Sequence, residues 1–544
     1  MKKILLINLR RIGDIFMSSH LINTLSKEAE IYLLTYRENQ SAAFLLSNIS
    51  NHYQIDRKEL LSIFSNKLFT DALALEKFYK TLEPILNEQW DEIINYSNDL
   101  VGTYITSALA NNSEKINGTC FNSSGVIQFN NFWSMYLNEY LTHESTSPIH
   151  LSTLYHQMCQ RKISTSGNKI KVNFELTSES LANFELFKSN LINKNPNTKL
   201  VALQAKSAKQ SKELSSSNLI HIAELISRSH EFALIILSSP DEHEIELTRE
   251  IEQKCQHSQT LRLVCSLEEA SHILMNVDVL ITPDTAMKHL ADLVDCPSIE
   301  ISLGESDFTK YSSTLDGSLI VSDNLYERDF KTSKTSILPA DIYATLLYFF
   351  SKSKRIAPNL STGVSLYTVK NQNGNIYHQY TCGSIHQETE FRKIITHEFL
   401  NTHFQNQKCT LSIENLPFNP TQLDGLCSFE KQRLTQISKD LLGTIRILLQ
   451  GLDNKRNARD FFIAVDKLIT HSENKSILQS ALVHFRYKIE SLETNTIEAS
   501  AKSLELILYQ LKDQIQFAIS TLQEIEKLSH EKRKTEFQQR ESNA

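Results

Sequence analysis

RIGDIFMSSHLINTL, from Arg11 to Leu25, and DVLITPDTAMKHLADLVDCPSIEISLGESD, from Asp278 to Asp307, decide the reading of this chain. Each is a strand end feeding a helix, with a carboxylate where one gives way to the other. In the first, the apolar run Ile4, Leu5, Leu6, Ile7 is a buried strand, Gly13 relieves the turn, and Asp14 starts a helix carrying Ile15, Phe16, Leu21, Ile22 and Leu25. In the second, Val279, Leu280 and Ile281 form the strand, Asp284 and Thr285 open the helix, and His289 lies near Asp284 on it. Ligands of open α/β sheets bind at such strand C-termini. Two segments of this kind predict two similar domains facing each other.

Working outward, strands and helices alternate from Met1 to about Ser166: Ile4 to Leu9, Ile31 to Thr35 and Glu92 to Tyr96 as strands, with helices around Ser41 to Ser47 and Tyr104 to Leu109. Alternation of this kind means a parallel sheet. Polar sequence at Ser164 to Lys169 and at Asn193 to Asn197 brackets a helix and marks the inter-domain region. A second series follows, with strands at Leu200–Leu203, Ala233–Leu237, Arg262–Val264, Val277–Ile281 and Ser298–Ile301. The expected organisation is an N-terminal Rossmann-like domain over 1–166, a second over 195–335, a closing helix in 336–356 (LPADIYATLLYFF, Leu338 to Phe350), a small hairpin-containing region over 357–430 and a helical bundle or coiled coil over 431–544. Asn373-Gly374 is the hairpin's turn signal. In the last segment Ile497, Ala501, Leu504, Leu508, Leu511, Ile515, Ala518, Leu522 and Ile525 recur at spacings of four and three, a bundle or coiled-coil seam with scope for self-association. The tail from His530 to Ala544 is charged and reads as frayed.

Composition narrows the class without naming an activity. With 544 residues, 56 Lys+Arg against 63 Asp+Glu and net charge −7, there is no electrostatic case for nucleic acid. Eight cysteines without a Cys-x-x-Cys pair argue for reduced thiols and a cytoplasmic setting. The opening MKKILLINLRRIGD has an apolar stretch broken by Asn8 and closed by Arg10, shorter than the roughly 7 to 15 residues of a signal peptide, and reads as the first core strand. His378, Cys382 and His386, with Cys409 and Cys427, make a weak metal reading, because strand and turn residues share no helical face.

On these residues the chain resembles glycosyltransferase family nine, the ADP-heptose:lipopolysaccharide heptosyltransferases, over about residues 1–350. RIGDIFMSSHLINTL is similar to the family's opening strand, Gly-Asp turn and helix, and TPDTAMKHLADLVDCPSIEISLGESD to its Asp-Thr-Gly, His-Leu-Ala and Leu-Phe-Gly-Pro-Thr-Asp signature. Between them VALQAKSAKQSKELSSSNLIHIAELI resembles the donor-phosphate loop, SSPDEHEIELTREI the next strand exit, and SPIHLSTLYHQM near His150 has a counterpart too. The resemblance implies an α/β fold of GT-B type, two Rossmann-like domains about a cleft with a mainly helical C-terminal extension, and a helix at Leu338–Phe350 packing back on the first domain. It implies a metal-independent, inverting glycosyltransferase with no cofactor beyond its nucleotide-sugar substrate, ADP-heptose, a glycan or protein acceptor, and room for peripheral contact with the inner membrane.

Residue by residue, the resemblance makes Asp14 the base for the acceptor hydroxyl, and assigns Lys212 and Ser207 to the diphosphate, Glu242 to the ribose, and Asp284, Thr285 and His289 to the donor sugar and phosphates. The residue types suit the chemistry: glycosyl transfer needs a proton acceptor and a positive site for the departing diphosphate. The plainer alternatives are a helix cap for Asp14, a solvated basic loop for Lys206, Lys209 and Lys212, and a surface helix start for Glu242. The chain departs from the family pattern at Ala286, Lys206, Leu214, Ser238 and Ser239, and has only 13 glycines, so backbone approaches phosphate less freely. Two rivals follow: the same fold using another nucleotide sugar, and an inactive scaffold that binds partners through its helical tail.

Overall fold

The computed structural model describes residues 2–65, 71–140, 148–161, 177–255, 259–303, 306–323, 335–351, 356–405, 416–451, 455–473, 476–492 and 496–542. The chain divides into two compact units, Met1–Cys120 with Ile149–Ile385, and Phe121–Pro148 with His386–Ala544. Residues 121–148, assigned by sequence to the N-terminal domain, therefore belong with the helical part of the chain. The polar segment Ser164 to Lys169 lies outside the described residues.

In the first unit, strands β1 (Lys2–Ile7), β2 (Ala29–Tyr36), β3 (Asn51–Ile55), β4 (Glu92–Asn95) and β5 (Ile116–Asn117) form a parallel sheet in the order β3-β2-β1-β4-β5. Ile4 pairs with Ile31 on one side and Glu92 on the other, and Ile4 to Ile7 are all buried, since a central parallel strand has no wet face. The helix expected after β1 is broken in two, α1 (Ile12–Met17) and α2 (Ser19–Leu25). At the break the buried Ser18 hydroxyl donates to the Ile15 carbonyl at 2.6 Å, a local bond that competes with the helical ladder.

The second sheet is built from β6 (Lys199–Gln204), β7 (Phe232–Ser238), β8 (Thr260–Val264), β9 (Val279–Pro283), β10 (Ser298–Ser302), β11 (Leu319–Asp323), β12 (Val364–Gln372) and β13 (Asn375–Gly383), in the order β8-β7-β6-β9-β10-β11-β12-β13. All are parallel up to β11, and β12 and β13 close the edge as an antiparallel hairpin. Asn373 and Gly374 take φ of 54° and 81°, the left-handed geometry of a two-residue hairpin turn. The hairpin is thus an extension of the second sheet and not part of a separate region over 357–430: Leu366 pairs with Val321 and is fully buried with it. Helix α3 (Glu242–Lys254) follows β7 and α4 (Ala286–Leu293) follows β9. The closing helix, α5 (Pro339–Phe350), packs against the helix Ser216–Ser227, with Ile342 and Leu346 in the second sheet's core and not against the first domain.

Both sheets share one winding. The strand order reverses between β1 and β4 in one and between β6 and β9 in the other, and crevices outside such switch points are where open α/β sheets bind ligands. Helix α1 at the first switch point packs against α4 at the second, so the two crevices meet. This is the GT-B type of architecture.

The second unit is helical. Helix α6 (Pro420–Leu449), started by Asn419, Pro420 at its first turn and a Gln422 side chain bonded back at 2.9 Å, packs along α7 (Ile497–Ser542). Leu504, Leu508, Leu511, Ile515, Ala518, Leu522 and Ile525 are buried, which makes the seven-residue pattern the inside of a bundle; self-association would need another surface. Helix α7 continues to Ser542, so the tail expected to fray is helical over nearly its whole length. No helix among the described residues is long and apolar enough to cross a membrane.

Candidate active site

The turn after β1 is pinned by buried amides and hydroxyls. Asn8, which interrupts the apolar run in sequence, receives the Arg10 N–H on its Oδ1 at 3.3 Å and donates to the Asp14 carbonyl at 3.3 Å. Ser97 takes the Leu9 N–H at 2.7 Å and Asn39 reaches the Arg10 carbonyl at 2.6 Å. On this frame Asp14 sits in the first turn of α1, 8% exposed. Its Oδ2 accepts the Arg11 N–H at 3.1 Å and its Oδ1 lies 3.4 Å from Arg10 Nε. The carboxylate therefore both caps its helix and carries a guanidinium partner.

The second switch point gathers charge. The hydroxyl of Ser207, in the loop after β6, donates to the Asp284 carbonyl at 3.2 Å, and its N–H is taken by Glu213 at 2.7 Å. Lys212 Nζ lies 2.5 Å from Asp284 Oδ2, and Lys288 Nζ lies 2.6 Å from Asp284 Oδ1 and 2.9 Å from Glu300 Oε1. Lys288 and Glu300 are fully buried. Burial alone would raise the Asp284 carboxyl, but Lys288 and Lys212 outweigh it and hold the group well below the ordinary carboxylate range. Burial likewise pushes Glu300 up to about 7 against the pull of Lys288, while the two carboxylates keep Lys288 above its ordinary value despite its burial. Thr285 caps α4, accepting the Met287 N–H at 3.2 Å and donating to Gln204 Oε1 at 3.0 Å. A helix start of this kind, with its positive dipole end, is suited to an anion.

His289, on α4, is 5% exposed, and its Nδ1 has no hydrogen-bond partner among the described residues. Burial, reinforced by Lys288, drives its protonation far below the ordinary histidine value, so the ring is neutral. It lies against Gly13: a Cβ built there would be 2.9 Å from His289 Cδ2. The glycine serves this close approach and not a turn, as it lies inside α1 with no left-handed φ. His150 Nε2 donates to the Ser312 carbonyl at 3.0 Å and its Nδ1 accepts the Ser152 N–H at 3.2 Å, with burial bringing its pKa down to about 3. Burial pushes the Tyr311 hydroxyl above its ordinary value against the pull of Arg10.

Ser207, Lys212, Asp284 and Thr285 are thus brought together, and Asp14 and His289 lie across the α1–α4 contact. Glu242 is not part of the cluster: it is exposed in the first turn of α3, while Glu244 turns inward, accepting the Ser239 N–H at 3.1 Å and the Ser239 hydroxyl, and meeting Gln204 at 3.4 Å. Sequence reasoning missed Glu244, Lys288 and Glu300. The signals existed: Glu244 stands at capping-box spacing from Asp241, Lys288 is four residues from Asp284, and Glu300 puts a charge between Ile299 and Ile301 in a core strand, where it demands a partner. Among the described residues no three His, Cys, Asp or Glu side chains are placed to hold a metal ion. His378 instead meets the Ser312 hydroxyl at 2.7 Å and Cys382 the Pro358 carbonyl at 3.5 Å, while Cys409 lies outside the described residues.

Residues 147–329 match the sequence model of glycosyltransferase family 9 (heptosyltransferase). No curated protein matches the chain. Among solved structures, the glycosyl transferase family 9 protein from Veillonella parvula DSM 2008 is 14% identical, covering 61% of this chain and 89% of that one, with a TM-score of 0.44. The E. coli ADP-heptose lps heptosyltransferase II is 15% identical, covering 64% and 98%, with a TM-score of 0.41. The E. coli heptosyltransferase WaaC with ADP-2-deoxy-2-fluoro heptose is 12% identical, covering 55% and 88%, with a TM-score of 0.37. The match to the family encloses the whole cluster of Ser207, Lys212, Asp284 and Lys288, and over residues 147–329 the chain is similar to glycosyltransferase family 9 (heptosyltransferase).

Proposed function

We propose that the protein is an inverting glycosyltransferase that moves a sugar, heptose in the leading reading, from an ADP-linked donor to a surface-glycan or protein acceptor. The observation that carries this reading is the Lys212–Asp284–Lys288 cluster at the second switch point, across the α1–α4 contact from Asp14. Asp14 accepts the proton of the acceptor hydroxyl as its oxygen bonds to the anomeric carbon; the bond to the diphosphate breaks, and the leaving group takes the electron pair. Lys212, the Ser207 hydroxyl and the amides at the start of α4 bind that leaving group. Asp284 and neutral His289 face the sugar, and Glu242, exposed at the start of α3, takes the ribose. The seven cysteines among the described residues are all free, which fits a cytoplasmic enzyme. Peripheral contact with the inner membrane accords with an acceptor made at that surface.

The test is a panel of nucleotide sugars scored by thermal stabilisation. A cognate donor at 100 times its dissociation constant should add about 2.7 kcal/mol. Stabilisation by ADP-heptose above other donors supports the leading reading, a different winner reassigns the donor, and silence across the panel favours the scaffold.

A further inference from the structure

We infer that Lys288 is a positioning residue that takes over Asp284 when Lys212 leaves it for the donor's diphosphate. The inference rests on the reading of Lys212 as a diphosphate contact. Lys212 is not free to meet a phosphate: its ammonium already lies 2.5 Å from Asp284 Oδ2. Moving it strips a counter-ion from a carboxylate that is almost fully enclosed, and a buried charge left unpaired is costly. Among the described residues the other donor on that oxygen is the Ser306 hydroxyl at 3.3 Å, too weak to replace an ammonium.

Lys288 removes that obstacle. Its Nζ is already 2.6 Å from the other Asp284 oxygen, and it is itself sealed from solvent, so it cannot follow Lys212 to the ligand. Glu300 Oε1 holds the same Nζ from behind at 2.9 Å, and among the described residues Glu300 Oε2 has no hydrogen-bond partner, so this glutamate's hydrogen bonding goes to Lys288. The cluster is thus two cations on one carboxylate, one mobile and one fixed. Nothing in this geometry places Lys288 or Glu300 against the ligand, so any effect they have on binding passes through Asp284.

Two substitutions should act with opposite sign. Lys288→Met combined with Glu300→Gln removes cation and counter-anion together, leaving Asp284 dependent on Lys212; binding of ADP, with UDP run alongside, should weaken by at least about tenfold, the decade that 1.4 kcal/mol represents. Adding Asp284→Asn to that pair frees Lys212 and should restore the affinity, which a merely structural defect would not allow. Glu300→Gln alone lets Lys288 serve Asp284 undivided, and should tighten binding. Calorimetry on the full chain reads all of these, with Lys212→Ala as the reference. Unchanged binding by the double variant, no rescue in the triple, or weaker binding by Glu300→Gln would overturn the exchange even if Lys212→Ala has lost the nucleotide. Wild-type affinity in Lys212→Ala, or no binding of ADP or UDP by the unaltered chain, would instead overturn the reading of Lys212 itself.

Discussion

Gly13 and His289 come from different sheets, yet no side chain of ordinary size fits between them: a Cβ on Gly13 would lie 2.9 Å from His289 Cδ2 and 3.8 Å from the Ala286 Cα. The absent side chain is what lets α1 meet α4, and so brings Asp14 opposite the switch point of the second sheet.

Substitution of Gly13 therefore sets two effects against each other. Alanine in a helix interior gains about 1 kcal/mol over glycine, but here its methyl group must displace a buried ring. Gly13→Ala should be near neutral and Gly13→Val destabilising by about 1 to 3 kcal/mol in denaturant unfolding. Combining Gly13→Val with His289→Ala should cost less than the sum of the two; strict additivity would show that the two residues do not press on each other.

On the proposed reading Glu242 touches the ribose, while Glu244 supports the loop after β7. Glu242→Ala should leave the melting temperature unchanged and weaken ADP binding by about 0.5 to 1.5 kcal/mol, the usual worth of a hydrogen bond. Glu244→Ala leaves the Ser239 N–H without its acceptor and should lower stability by about 1 to 3 kcal/mol. A loss of ADP binding confined to the Glu244 variant would move the ribose contact inward.

Buried histidines predict early acid sensitivity in the first unit. Burial takes His156 down to about 3, and neither of its ring nitrogens has a hydrogen-bond partner among the described residues; His150 also falls to about 3 and His52 to about 4. Below pH 6.5 the unfolded chain takes up protons that the folded state refuses, so stability falls from there until the folded pKa is reached, by up to about 1.4 kcal/mol per pH unit for each group. Glu300 opposes this: with a folded pKa of about 7, it keeps a proton between pH 7 and 4.5 that the unfolded chain has lost, and so gains stability as pH falls through that window. Three histidines outweigh one glutamate. Urea midpoints should decline between pH 6.5 and 5, and His156→Leu should flatten the decline; an unaltered slope would mean that His156 titrates normally.

The seam of the helical unit is a stability device. Leu508 is fully buried, and Leu508→Ala should destabilise that unit by about 2 to 5 kcal/mol without changing ADP affinity. A variant of unchanged stability but smaller assembled mass in light scattering would return the seam to self-association.

Much of this was legible in the chain, for identifiable reasons. The run Ile4 to Ile7 has only one physical reading, a strand covered on both faces, and Asn373-Gly374 specifies its turn by φ alone. The strand Asn51–Ile55 escaped because NHYQI sits at the sheet edge, where polar side chains reach solvent and the apolar signal fades. That the hairpin would join β11, or that residues 121–148 would leave the first domain, is a matter of long-range pairing that local periodicity does not carry. At the site, Asp14 and Asp284 stood out where a strand gives way to a helix, and Lys212 only through the resemblance of its loop to the family's. Lys288 did not, because its partner Glu300 lies on the next strand.

The most direct test of the account is calorimetric titration of ADP into the unaltered chain, Lys212→Ala and Asp14→Asn. Loss of a charge-assisted phosphate contact should weaken binding to Lys212→Ala by about 1.5 to 3 kcal/mol, while Asp14→Asn, altered only on the acceptor side, should bind as the unaltered chain does. Equal affinity in the unaltered chain and Lys212→Ala would contradict the account, since the diphosphate would then lie away from the Lys212–Asp284–Lys288 cluster.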